Sequence, residues 1–64
     1  MTFIVIYKGD EDQIPHEARN INELKHKLKD HADLSIFSYS KNAERLYEQA
    51  KLVNGKWYKG GGYE

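Results

Sequence analysis

The residues specify a small α+β domain: an antiparallel or mixed β-sheet with one main helix packed on it. Three observations predict this class. The run Thr2 to Lys8 is β-branched and aromatic, the chemistry of a strand. Asn20 to His31 carries a capping signal followed by apolar residues at helical spacing, the chemistry of an amphipathic helix. Asn54-Gly55 stands between two short apolar runs, and a type I′ turn there needs φ > 0 at both central residues.

Along the first strand, Phe3, Val5 and Tyr7 fall on one face and Ile4 and Ile6 on the other. Apolar residues on both faces indicate a strand inside the sheet, covered on part of each side. Gly9 to Asp12 has turn composition,. Ile14 to Ala18 can return as a second strand. Pro15 lacks an N–H donor, which places that segment at an edge or leaves it an extended connector,.

Asn20 and Glu23 have capping-box spacing, in which the Asn side chain accepts from the third helical amide and the glutamate reaches back,. Ile21, Leu24, Leu28 and then His31 or Ala32 recur on one face, so the pattern predicts a helix from Ile21 to about His31. Leu34 to Ser40 returns to strand chemistry. Residues 42–50 fit two patterns. Ala43, Leu46, Tyr47 and Ala50 match helical spacing, and the residue types are good helix formers,. The strand alternative makes Lys41 to Glu44 a turn and places Leu46, Ala50 and Leu52 on one face interrupted by Glu48. The helical reading is the expectation. Gly60-Gly61-Gly62 offers no side chain to pack, so the domain is expected to span residues 1–59 with a flexible tail over 60–64. The order of strands, helix and further strands resembles the β-grasp architecture of ubiquitin-like domains in topology.

Sixty-four residues make one domain, near the lower size limit for a chain that folds unaided,. With no cysteine, no disulfide or thiolate site supplements the core, which fits a reducing cytoplasm. The N-terminal apolar run is too short for a secretion signal, and nothing reaches the length of a membrane span,. A cytoplasmic location follows as the expectation. Ten basic and ten acidic side chains balance to zero, so whole-chain charge gives no argument for nucleic acid and little protection from self-association.

Motifs for chemistry are few. Glu23, His26 and Asp30 could share a helix face, with His16 as a further ligand, but no metal-binding spacing accompanies them,. Ser35, Ser38 and Ser40 sit in or beside a strand without a nucleophile elbow,. The acidic residues 10–12 lack the glycine and distal glutamate of a calcium loop,. The glycine run lacks the Lys-Ser/Thr of a phosphate loop,. No catalytic, metal or cofactor site is therefore assigned. The distinctive segment is Lys56-Trp57-Tyr58-Lys59 with Tyr63, within a stretch (51–63) holding three lysines and no acid. These five residues form the expected contact surface, since Trp and Tyr bury large area while keeping a polar tip. The function expected is that of a small non-enzymatic intracellular binding or modulator protein, of the kind frequent among bacterial and phage accessory proteins. It would act on a protein partner or on itself. Single-stranded nucleic acid bound by Lys56, Trp57, Tyr58 and Lys59 is the alternative.

Overall fold

A computed structural model describes residues 1–63. Its elements are β1 (Thr2–Tyr7), β2 (Ile14–Glu17), α1 (Ile21–Leu28), β3 (Leu34–Ser40), β4 (Arg45–Val53) and β5 (Lys56–Tyr63). The five strands form one sheet in the order β2-β1-β3-β4-β5, and every pairing is antiparallel. The domain is α+β, with a single short helix among the described residues.

The alternation along β1 sets the two faces. Phe3 and Val5 are buried with Leu34 and Ile36 of β3, Leu52 of β4, and Leu24 and Leu28 of α1. Tyr7, Ile21 and Trp57 close the margin of this cluster. In-register partners share a face, so Val5 opposite Ile36 and Leu34 opposite Leu52 carry one apolar band across three strands,. Ile4 and Ile6 lie on the other face and are half-buried.

Pro15 sits on edge strand β2 opposite Ile4. Met1 and Ala18 exchange both backbone hydrogen bonds at 2.9 and 3.0 Å. Alternation from that pair makes Phe3–His16 a bonded pair and Ile4–Pro15 an unbonded one,. The missing N–H of proline therefore faces away from β1, and the ladder loses nothing.

The helix starts as its cap predicts. The Asn20 side chain accepts from the Glu23 amide at 2.9 Å, with Asn20 itself in extended conformation. Glu23 reaches one residue further back than a capping box requires, accepting from Arg19 Nε at 2.8 Å and from the Arg19 amide at 3.4 Å. Lys27 approaches the same carboxylate at 3.7 Å. The helix ends at Leu28, a turn earlier than the expected His31. Leu28 is buried while Lys29 to Ala32 are exposed, and His31 donates its amide to the Leu28 carbonyl in a closing turn.

Residues 42–50 are not a helix. Lys41 to Glu44 turn, with Glu44 at φ 55°, and β4 runs from Arg45. Pairing on both sides, with β3 and β5, outweighs local helix propensity,. The strand also departs from simple alternation. The register with β3 shifts so that Ile36 opposes Ala50 while Phe37 opposes Glu48, leaving Gln49 as the extra residue of a bulge. Leu46 and Glu48 consequently face away from the helix, and Ala50 and Leu52 are buried.

Residues 60–63, expected to lie in a tail beyond the domain, continue β5 and pair with β4 up to Tyr63 opposite Tyr47; Glu64 lies outside the described residues. The register slips again between Glu48 and Ala50, and here glycine is required. A Cβ on Gly60 would stand 2.2 Å from the Glu48 carbonyl oxygen. Gly61 donates its amide to Glu48 Oε1 at 2.7 Å, and Gly62 has φ 82°. At the other end of β5, Asn54 (φ 51°) and Gly55 (φ 78°) make the two-residue turn from β4.

Gly60→Ala should destabilise the domain by about 2 kcal/mol or more, because a backbone must move. Gly61→Ala, facing only the mobile end of Glu48 at 3.3 Å, should cost much less; urea unfolding compares the two. Asn20→Ala should cost about 1 kcal/mol. The Arg19 hydrogen bond, with the nearby cationic charge of Arg19 and Lys27, holds the Glu23 carboxyl below its ordinary pKa. That contribution is present above the unfolded-state carboxylate pKa and is lost as pH falls through the lower folded value. The stability gap between wild type and Glu23→Gln should therefore close in acid.

Candidate functional site: the uncovered sheet face

Strand alternation divides the aromatic and basic residues of the C-terminal hairpin between two surfaces. Trp57 opposes Leu52 and Lys59 opposes Ala50, so both point to the helix side. Lys56 opposes Val53 and Tyr58 opposes Lys51, on the face away from the helix. Tyr63 closes the β5 pairing opposite Tyr47. The residues that sequence proximity grouped into one surface thus belong to two.

On the helix side, Trp57 is half-buried against the core, with Lys25 Nζ 5.5 Å from its ring centroid. That is within range of a cation–π contact. Asn22, His26, Lys29 and Gly55 surround the same open recess. Here the helix, which sequence reading treated as a packing element, supplies the cations nearest the indole.

The opposite face has no helix over it among the described residues. It carries Ile4 and Ile6 on β1, Phe37 and Tyr39 on β3, Leu46 and Val53 on β4, and Tyr58 on β5. Phe37 is only 4% exposed yet lies outside the core cluster, between Ile4 and Glu48. Tyr39 and Tyr58 are 57% and 50% exposed. A recess of about 310 Å³ opens beside Phe37, bounded by Ile6, Ser35, Lys51 and Val53. This is concave, largely apolar surface with polar groups at its rim, as contact sites are.

On this face Lys51 and Lys56 lie toward the Asn54-Gly55 turn, where Lys8 and Asp33 also line the recess, and Glu48 and Glu17 lie toward the opposite end. The remaining candidates do not converge. Asp30 falls beyond the end of α1, and no three His, Asp or Glu side chains among the described residues come together in a way that could hold a metal ion. Ser35 lies on the uncovered face and Ser38 on the helix side, where Ser38 Oγ accepts from Gln49 Nε2 at 2.9 Å. No helix among the described residues is long and apolar enough to cross a membrane. No protein-family model, curated protein or solved structure matches the chain.

The indole environment is open to a direct check. Lys25→Met removes the cation above Trp57 and should change its fluorescence intensity, with a stability change of about 1 kcal/mol or less. An unchanged emission spectrum would show that the two groups do not meet.

Proposed function

We propose that this chain is a small non-enzymatic binding protein that acts through protein contacts made by the uncovered face of its sheet. The observation supporting this is the apolar content of a face that the fold does not bury. In a domain this short of apolar mass, Ile4, Ile6, Leu46 and Val53 stay half-buried and two tyrosines stay half-exposed on one side. A contiguous patch of this kind, with charges at its rim, characterises interaction surfaces. The absence of cysteine suits action in a reducing cell interior.

A photo-crosslinking residue placed at Tyr58 tests this, with a second placed at Arg19 as control. The Tyr58 position should give discrete protein adducts in the cell of origin, and Arg19, whose side chain pairs with Glu23 of the helix, should not. Equal labelling from both positions would count against the face. Against a partner so captured, Tyr58→Ala should weaken binding by about tenfold.

The recess around Trp57 favours a second reading, single-stranded nucleic acid. An indole flanked by Lys25, His26 and Lys29 offers a base a stacking surface and its phosphates cationic partners. Titration with a short oligothymidylate should then quench Trp57, and added salt should steeply reverse the effect. Unchanged fluorescence at low salt would dismiss this reading.

A further inference from the structure

We infer that the occupant of the uncovered face is a second copy of this chain, related by a two-fold axis lying across the strands. The inference rests on the reading of that face as a protein-contact surface and names its partner. Its basis is the outward sequence of β4. Because Gln49 shifts the register, the residues of β4 that face away from the helix are Leu46, Glu48, Lys51 and Val53. Read in either direction, this series is apolar, charged, charged, apolar, and the two charges are opposite.

A two-fold axis crossing β4 between Glu48 and Lys51 turns the strand end for end. It then sets Lys51 over Glu48 of the other copy, and Val53 over Leu46. The neighbouring strands obey the same operation. Ile6 falls over Ile4 on β1. On β5, Tyr58 falls over Gly62, a large side chain over none. On β3, Phe37 falls over Ser35, beside the recess. Isologous contact requires this self-complementarity.

An axis running along the strands is disfavoured by the same residues, because it would bring Lys51 and Lys56 of one copy toward those of the other. Size and net charge are compatible with the assembly. The longer dimensions of the molecule, 32 and 25 Å, allow a face near the ~800 Å² per partner that a standard interface buries. A net charge of zero sets no long-range repulsion between copies. Two sheets stacked this way make a β-sandwich about 10 Å between layers, with the helices outermost.

Sedimentation velocity on the full chain, over micromolar to millimolar concentration, tests the inference. The expected species is a dimer of the 7.5 kDa chain. Lys51→Glu should raise its dissociation constant by about tenfold or more. An equimolar mixture of Lys51→Glu and Glu48→Lys should recover dimer, because each copy's altered residue then meets an opposite charge. Glu48 also accepts from the Gly61 amide, so a second measurement avoids changing it. The chain has no cysteine, and Val53→Cys mixed with Leu46→Cys should oxidise to a covalent heterodimer. Val53→Cys alone should not cross-link.

A wild-type chain that remains monomeric throughout the range overturns the inference, as does ready self-cross-linking of Val53→Cys. Neither result decides the broader reading. With a monomeric chain, Tyr58 adducts to a different protein would leave the contact surface standing with another occupant. Absence of any Tyr58 adduct would remove both.

Discussion

The extra residue at Gln49 decides which side chains of β4 meet the core and which meet solvent. Without it, Leu46, Glu48, Ala50 and Leu52 would share one face, and a carboxylate would stand in the apolar band under α1. With it, Ala50 and Leu52 turn inward while Leu46 and Glu48 turn out. The bulge needs space on its far side, and Gly60 provides it by letting β5 run against the Glu48 carbonyl. Core composition, uncovered-face composition and the glycines of β5 thus answer to one local shift in register.

The helix depends on the sheet more than on itself. Eight residues are too few for an isolated helix to persist in water, so α1 exists because Leu24 and Leu28 are buried against β1, β3 and β4. Each buried leucine contributes about 2 kcal/mol, a large share of the net stability of so small a domain. The Asn20 cap and the Arg19–Glu23 pair fix where the helix begins. It ends at Leu28, the last buried residue before the exposed stretch Lys29 to Ala32.

Legibility followed how local each signal was. The strand chemistry of Thr2 to Tyr7 and Leu34 to Ser40, and the Asn20 cap, depend on neighbouring residues and could be read directly. The β4 segment could not, because Ala43, Leu46, Tyr47 and Ala50 satisfy helical spacing while pairing with β3 and β5 comes from residues far along the chain. The glycines read as a tail for a similar reason: a tract without side chains looks the same in sequence whether it dangles or makes room for another backbone. The expected contact surface grouped Lys56 to Lys59 by adjacency. Strand period separates Tyr58 from Trp57, and applying that period to β5 would have shown it. The apolar side chains that Tyr58 joins come from β1, β3 and β4, and only the register brings them together.

Pro15 has a consequence beyond its own strand. A sheet lengthens into a filament only if each added copy offers a competent strand at both sides, one to dock and one to receive the next. The outer rim of β2 lacks a donor at its centre, and that rim is four residues long. Only the β5 rim remains, and the register shift at its glycine segment interrupts its regularity. Two such rims can meet each other, after which neither is left to continue. A short, strand-rich chain of zero net charge is thereby protected from open-ended polymerisation by one ring closed on one nitrogen,.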